Sequence, residues 1–218
     1  MQNKFDLIVF DWDGTLMDSA AAIVHAIQAA SRDLGLPEPD AHEARHVIGL
    51  GLVDALQRAV PDLPAHEYPR MAERYRHHYL ARDHELTLFA GVRELLEALA
   101  CRGFRLAVAT GKSRLGLDRA LAHSGLAPYF HALRCADQCH SKPHPQMLEE
   151  LMQELGAVPE RTLMIGDTTH DLQMARNAGT AGLGVSYGAH PREALCALEP
   201  LACLETVEEL HAWLLENA

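Results

Sequence analysis

Two aspartates stand one residue apart directly after a short apolar run, in the segment VFDWDGTLMD at residues 9–18. Asp11 and Asp13 flank a tryptophan, and a Gly-Thr pair follows at once. Charged side chains are rarely buried unless they are paired or hold a metal ion. Two acids at the end of a buried strand are therefore candidates for chemistry, although a turn with a helix cap would also place acids there.

Three further segments, with four polar residues of interest, follow predicted strands elsewhere in the chain. Thr110 lies in VATGKSR, Lys142 lies in HSKPHP, and Asp167 and Asp171 lie in MIGDTTHD. Ligands of open α/β sheets bind beyond the carboxyl ends of the strands, so these positions are predicted to meet at one edge of the sheet. Each position alone has an ordinary explanation as a cap or a solvated side chain, but their joint placement predicts a reactive site.

Three acids, a hydroxyl and an ammonium group fit phosphoryl transfer assisted by Mg²⁺, which prefers oxygen ligands. Asp11 can serve as metal ligand and as the nucleophile that forms an aspartyl-phosphate. Asp13 can protonate the leaving oxygen and then take a proton from water. Thr110 and nearby N–H groups can hold phosphate oxygens, Lys142 can balance charge, and Asp167 completes the metal site.

The elements that must position these residues are visible in the hydrophobic pattern. Short continuous apolar runs bounded by turn residues are typical of buried parallel strands, and apolar residues at helical spacing lie between them. This alternation predicts an α/β fold with a parallel sheet. The predicted strands are residues 6–10, 105–110, 162–166 and 181–186, with a weaker one at 131–136.

One long segment breaks the alternation. Residues 16–86 contain amphipathic helical patterns separated by prolines and no convincing strand. We therefore predict an α/β core domain at residues 1–15 and 87–218, which carries the catalytic site, and an inserted helical cap domain at residues 16–86.

Composition and charge exclude several classes of partner. The formal net charge of −11 argues against binding to nucleic acid or to an anionic membrane surface. No stretch approaches the roughly 20 apolar residues of a membrane span, and no signal peptide is recognisable. Five cysteines without a framework pattern predict reduced thiols and a cytoplasmic location.

These segments together resemble the haloacid dehalogenase superfamily. DWDGTL (residues 11–16), ATGKS (109–113), SKPHP (141–145) and GDTTHD (166–171) are similar to its four motifs, in order. Within the superfamily, RHVIGLG (45–51) and GVSYG (184–188) resemble the phosphoglycolate phosphatase-like group with a helical cap. The resemblance implies a Rossmann-like parallel sheet with an inserted cap.

The resemblance also implies a role for each motif residue. Asp11 would be nucleophile and Mg²⁺ ligand, and Asp13 would be acid/base and offer its backbone carbonyl to the metal. Asp167 would be a third ligand, and Asp171 would hold a metal-bound water or Lys142. The implied substrate is a small phosphorylated metabolite, such as phosphoglycolate, bound at Thr110, Gly111 and Lys142 and recognised by Arg45 and Gly49 of the cap.

Three alternatives stay open. A phosphohexomutase on the same scaffold keeps both acids of the first motif and differs in whether water reaches the aspartyl-phosphate. A receiver-like phospho-switch also places acids, a Thr and a Lys at strand ends, although in another order. The segment ATGKS invites a nucleotide-binding P-loop reading, but Leu106 stands where that pattern needs a glycine.

Overall fold

Six parallel strands form the central sheet of the computed structural model, which describes residues 3–218. Their spatial order is β5-β4-β1-β6-β7-β8, so the first strand of the chain lies in the interior of the sheet. The strands are β1 (Leu7–Phe10), β4 (Arg105–Thr110), β5 (Ala132–Cys135), β6 (Thr162–Gly166), β7 (Ala181–Val185) and β8 (Cys203–Leu204). The predicted α/β parallel sheet is therefore confirmed.

The register places several strand ends side by side. Phe10 pairs with Val108 of β4 on one side and with Ile165 of β6 on the other. The residues that follow these strands therefore emerge at one edge of the sheet.

Ten helices accompany the strands within the described part of the chain. The ranges of the helices are α1 (Ala20–Asp33), α2 (Ala41–His46), α3 (Leu52–Ala59), α4 (Tyr68–Ala81), α5 (Val92–Cys101), α6 (Arg114–Ser124), α7 (Gln146–Leu155), α8 (Thr169–Asn177), α9 (Arg192–Cys196) and α10 (Val207–Asn217).

The sheet is covered on both faces, as the alternation of side chains along β1 shows. Ile8 and Phe10 pack into one hydrophobic cluster with residues of α5, α6 and α10. Leu7 and Val9 point to the other face and pack with residues of α7 and α8. All four side chains are buried, which explains why β1 reads as a continuous apolar run.

Helices α1 to α4 form a third hydrophobic cluster, centred on Ile27, Leu56 and Met71. The chain enters this block through β2 (Met17–Asp18) and leaves it through β3 (Thr87–Leu88), and these two strands pair antiparallel. The division into a core and a cap domain, with its boundaries, stays a prediction, for which the separate cluster is support.

Several short elements differ from the sequence-based expectation. Strands β2 and β3 stand at the two ends of the segment in which no convincing strand was expected, and β8 extends the sheet by one strand. Each has two residues, too few to form a recognisable pattern. Helices α2 and α9 span six and five residues, less than two helical turns.

Among residues 3–218, no helix has the length and apolar character needed to cross a membrane. All five cysteines are free thiols.

Candidate active site

Three parallel strands bring the first predicted site residues together. Asp11 follows β1 directly, and its backbone N–H donates a 2.9 Å hydrogen bond to the carbonyl of Ile165 in β6. Thr110 is the last residue of β4, and Asp167 follows β6. All three side chains are buried, so the strands and not solvent set their positions.

A buried cluster of three carboxylates lies at this edge. Ligand oxygens of Asp11, Asp167 and Asp171 all lie within 4.8 Å of one another. Lys142 is buried among them, with Nζ 2.6 Å from Oδ1 of Asp171 and 2.8 Å from Oδ1 of Asp11. One ammonium group therefore faces three carboxylates, and the cluster carries an excess of negative charge when all are ionised.

The pKa values reflect this imbalance. Burial raises the pKa of Asp11 well above its ordinary value, and the attraction of Lys142 only partly opposes that rise. Burial, followed by repulsion from Asp171, raises the pKa of Asp167 to about 7. Burial alone would lower the pKa of Lys142, but Asp11 and Asp171 outweigh it, and the pKa is raised. Lys142 therefore stays protonated, and its single positive charge does not balance the negative charge of the three carboxylates.

The donor set fits Mg²⁺. Oδ1 of Asp11 is compensated by the ion pair with Lys142 Nζ at 2.8 Å, whereas Oδ2 of Asp11 has no hydrogen-bond partner within residues 3–218. Buried carboxylate oxygens without partners are costly unless a cation satisfies them. Oxygen-only ligands at a buried, negatively charged position suit a hard divalent cation.

The other two acids are held in place by hydrogen bonds. Asp167 accepts from Thr15 Oγ1 at 2.8 Å and from the N–H of Ala189 at 2.7 Å. Asp171 caps α8, because its Oδ2 accepts from the N–H and hydroxyl of Thr168 while the Thr168 hydroxyl caps the helix in return. This capping box fixes Asp171 against Lys142.

Gly14 explains how the first motif approaches Asp167. Its φ of 86° is in the left-handed region, and a Cβ at this position would collide with the Asp167 carboxylate. The DxDGT turn therefore needs glycine both for its backbone conformation and for the close approach.

Asp13 is turned away from the carboxylate cluster. Its Oδ1 accepts from Ser19 Oγ at 2.7 Å and from Lys112 Nζ at 3.0 Å. The same Nζ donates to the hydroxyl of Tyr79 at 2.9 Å. The clustered side-chain acids are thus Asp11, Asp167 and Asp171, and Asp13 lines the cavity outside this cluster.

Sequence reasoning missed the link between Lys112 and Asp13. Lys112 was considered only as part of a nucleotide-binding loop, whereas the structure places it between the first motif and the cap helix α4, which carries Tyr79. The sequence offered one indication of this contact. Lys112 comes two residues after Thr110, at the carboxyl end of β4, where the other polar residues were expected to meet.

The cap loop lies directly on the second motif. A Cβ at Gly111 would collide with the carbonyl oxygens of Gly49 and Leu50, so only glycine permits this contact. The N–H of Gly51 donates a 2.8 Å hydrogen bond to Ser141 Oγ in the third motif. Gly49 and Gly111 thus both line the cavity, and their contact with a substrate stays a prediction.

Arg45 is not brought to the site. Its side chain is exposed, and it does not line the cavity between cap and core. The contact between Arg45 and a substrate stays a prediction without support from this arrangement.

A histidine cluster beside Arg45 joins the cap to the core. The carbonyl of His46, at the end of α2, accepts hydrogen bonds from His170 Nε2 at 2.9 Å and from His190 Nε2 at 3.2 Å. The rings of His46 and His190 stack with their centroids 4.8 Å apart. No spacing in the sequence indicated this cluster, because its members come from three separate segments.

A cavity of about 500 Å³ lies between the cap helices and the strand ends. Asp11, Asp13, Thr110 and Lys112 lie on its wall, and residues of α1, α3 and α4 close it from the cap side. A ligand in this cavity would contact both the reactive residues and the cap.

Known proteins resemble this chain over most of its length. The family model described as haloacid dehalogenase-like hydrolase matches residues 8–185. A probable phosphatase, IndB, of Dickeya dadantii is 39% identical over 210 residues, covering 94% of this chain and 91% of its own. A phosphoglycolate phosphatase of Vibrio vulnificus is 32% identical over 218 residues, covering 96% of each chain.

A solved structure shows the same arrangement. The crystal structure of a predicted phosphoglycolate phosphatase from Haemophilus somnus superposes with a TM-score of 0.86 at 28% identity, covering 99% of both chains. The similarity therefore includes the cap region as well as the sheet.

Proposed function

The chain belongs to the haloacid dehalogenase-like hydrolase family, and we propose that it is a Mg²⁺-dependent phosphatase that hydrolyses a phosphate monoester of a small metabolite through an aspartyl-phosphate at Asp11. The observation that carries this proposal is the buried Asp11 carboxylate in the cavity wall, whose Oδ1 pairs with Lys142 and whose Oδ2 has no hydrogen-bond partner in the described chain. A free carboxylate at this position can bind a cation and attack phosphorus.

The metal would be held by Asp11, Asp167 and the backbone carbonyl of Asp13, with Asp171 as a supporting residue. Bound there, Mg²⁺ supplies positive charge that permits an anion to approach an anionic phosphate. The three side-chain acids are the oxygen donors that such a cation prefers.

The chain's own groups account for both halves of the reaction. A carboxylate oxygen of Asp11 forms the new bond to phosphorus while the bond from phosphorus to the leaving oxygen breaks, and Asp13 gives its proton to that oxygen. In the second half, Asp13 takes a proton from water as the water oxygen attacks phosphorus. The bond to Asp11 then breaks and inorganic phosphate leaves.

Two neighbouring groups support these steps. Lys142 stays protonated beside Asp11, so its charge offsets the negative charge that builds up on the phosphoryl oxygens. The hydroxyl of Thr110 and the backbone N–H groups after β4 stand at the same strand edge and can hold those oxygens.

Trapping the intermediate tests the proposal. The protein is incubated with Mg²⁺ and a phosphate monoester, quenched in acid, and digested for mass spectrometry. We expect a phosphoryl group on the peptide that contains Asp11, and none in Asp11→Asn. Turnover that persists in EDTA, or a phosphoryl group on another residue, would contradict the proposal.

The sequence-based alternatives receive less support. A phosphohexomutase must bind a sugar through many hydrogen bonds, whereas the cavity wall here is largely aliphatic and aromatic. Conversion of glucose 1-phosphate to glucose 6-phosphate would revive that alternative. The relatives' names support a phosphatase over a receiver-like switch. The cytoplasmic location stays a prediction from the free thiols.

A further inference from the structure

The cavity extends well beyond the space that a phosphoryl group needs. Its volume of about 500 Å³ falls within the roughly 300–1,000 Å³ typical of pockets for drug-sized ligands. Asp11 and Asp13 line it together with residues of the cap helices and of the segments 110–119 and 136–141. The remaining volume is therefore available to the group that is esterified to the phosphate.

Two of the helices that line the cavity contribute aliphatic and aromatic side chains to its wall. Ile23 and Ile27 come from α1, and Tyr75 and Tyr79 come from α4. The two tyrosine rings stack with centroids 5.8 Å apart and an interplanar angle of 19°, and Lys112 Nζ lies 4.6 Å from the centroid of the Tyr79 ring. Such a wall favours apolar or aromatic ligand surface.

The exposed part of the cavity lining carries three large apolar side chains beside its charged ones. These are Val53, Leu80 and Leu115, and they are 51%, 44% and 69% exposed. In residues 3–218 only two other large hydrophobic side chains are exposed, Val158 and Leu201. Single exposed apolar residues are ordinary, but three from separate helices around one opening indicate a binding surface.

The cavity is present while the cap contacts the core. The N–H of Gly51 is bonded to Ser141, and the carbonyl of His46 is bonded to His170 and His190. The apolar side chains therefore enclose a cavity even though the cap and the core are already in contact.

A short carboxylate such as glycolate finds no dedicated partner in this wall. The lysine that lines the cavity, Lys112, is already engaged by Asp13 and Tyr79. The lining arginines, Arg76 and Arg119, are exposed to solvent, so neither offers a buried cation to a carboxylate. Arg45, the predicted cation for a carboxylate, does not line the cavity.

We propose that the cavity binds the leaving group of the substrate, and that this group is a bulky alcohol with an apolar or aromatic ring rather than a short carboxylate. The inference rests on the proposed phosphatase function, because it names the alcohol that the reaction at Asp11 releases. The ring would lie against Tyr75, Tyr79 and the isoleucines of α1, and its outer edge would reach Leu115 and Val53.

A matched series of esters tests this directly. Ethyl phosphate and 2-phenylethyl phosphate both release a primary alcohol, so the reaction at phosphorus is the same and only the ring differs. We expect kcat/KM for 2-phenylethyl phosphate to exceed that for ethyl phosphate by on the order of 10²-fold or more, since a single enclosed methylene is already worth about 10–200-fold. We expect kcat/KM for phosphoglycolate to equal that for ethyl phosphate or to lie below it. Equal values across the series, or a preference for phosphoglycolate, would overturn the inference.

A surface substitution in the exposed part of the cavity lining supplies the second test. Leu115→Ser changes an exposed side chain, so the fold should survive. We expect kcat/KM for 2-phenylethyl phosphate to fall roughly five- to tenfold, less than for a fully enclosed methylene, while that for ethyl phosphate is unchanged. Leu201→Ser is the matched control, because Leu201 is also exposed but lies outside the cavity, and neither value should change.

Binding separates the failure of this inference from the failure of the proposed function. Asp11→Asn is titrated calorimetrically with 2-phenylethyl phosphate and with ethyl phosphate. Preferential binding of the phenylethyl ester, weakened by adding Leu115→Ser, would support the cavity's role even if no ester were hydrolysed by the unmodified protein. Turnover of ethyl phosphate without any preference in rate or binding would overturn the inference and leave the phosphatase intact.

Discussion

At the scale of single residues, the site is governed by how few cations face its buried acids. Lys142 contacts both Asp11 and Asp171, while Asp167 depends on neutral donors from Thr15 and Ala189. A cluster of this kind is costly to fold unless something else compensates its charge. The excess charge of the cluster therefore lowers the stability of the folded chain unless a cation binds there.

Removing the charge of Asp11 should separate its role in the reaction from its effect on the stability of the fold. Asp11→Asn is expected to abolish phosphate release, because the amide is no nucleophile toward phosphorus. Its melting temperature in the absence of metal should be equal to or above that of the unmodified protein, since a desolvated carboxylate with a raised pKa is replaced by a neutral group. Phosphate release and thermal unfolding measure both outcomes.

The matched control for this variant is Asp118→Asn. Asp118 is exposed and pairs with Arg114 at 2.8 Å on the surface of α6. This variant should retain full activity, and measurable turnover in Asp11→Asn would refute the nucleophilic role.

Lys112 is expected to position the acid/base group. Lys112→Met keeps the length of the side chain and removes the ammonium that holds Asp13 at 3.0 Å. We expect kcat to fall roughly tenfold, less than the 10²–10⁴-fold assigned to loss of an acid/base group itself. In Tyr79→Phe we expect a smaller decrease in kcat, because this change leaves the contact between Lys112 and Asp13 in place. An unchanged kcat in Lys112→Met would show that Asp13 needs no such support.

At the scale of elements, the loop between α2 and α3 connects the cap to the second and third motifs. The carbonyls of Gly49 and Leu50 lie so close to Gly111 that no side chain fits there. Gly111→Ala should therefore lift the loop, raise hydrogen exchange across residues 47–51, and lower kcat/KM by up to about 10²-fold, as displacements of about 1 Å do in other sites.

A second buried glycine provides the comparison. Gly184→Ala in β7 would place its Cβ at ordinary contact distances, 3.5 Å from Cys203 Sγ and from Leu195 Cβ. Its hydrogen exchange at residues 47–51 and its activity should remain unchanged. If Gly111→Ala behaves in the same way, the loop does not depend on this close approach.

The elements also show what the sequence could and could not predict. Strands β1, β4 and β6 were recognisable because each is a continuous buried run between turn residues, and their shared edge then located Asp11, Thr110 and Asp167. The contact from Lys112 to Tyr79 could not be predicted, because it depends on how the cap helices are placed over the sheet. The hydrophobic pattern of each segment defines its own buried face but not that placement.

At the scale of the whole molecule, divalent metal should contribute to stability. The pKa of Asp167 is raised from its ordinary value of 3.8 to about 7, so between these pH values the folded chain holds a proton that the unfolded chain has lost. Folding stability without metal therefore falls as the pH rises through this range. Above pH 7, where the carboxylates are ionised, a bound cation should stabilise the folded chain most.

Thermal unfolding in Mg²⁺ tests this dependence. At pH 8, Mg²⁺ at 100 times its Kd should stabilise the fold by about 2.7 kcal/mol and raise the melting temperature by several degrees. At pH 5 the shift should be much smaller, because Asp167 is then protonated in the folded chain. Asp167→Asn should lose most of the shift at pH 8. A shift that is equal at both pH values would contradict the assignment of this carboxylate.

The paired strands β2 and β3 have a consequence for how this fold can vary. Asp18 lies opposite Thr87, so the chain departs from the sheet and returns to it at adjacent points. An insertion with neighbouring ends leaves the register of the six large-sheet strands untouched, whatever its length. The β2–β3 ribbon is thus a point at which a cap of different size could replace the present one while the residues at the strand ends keep their positions.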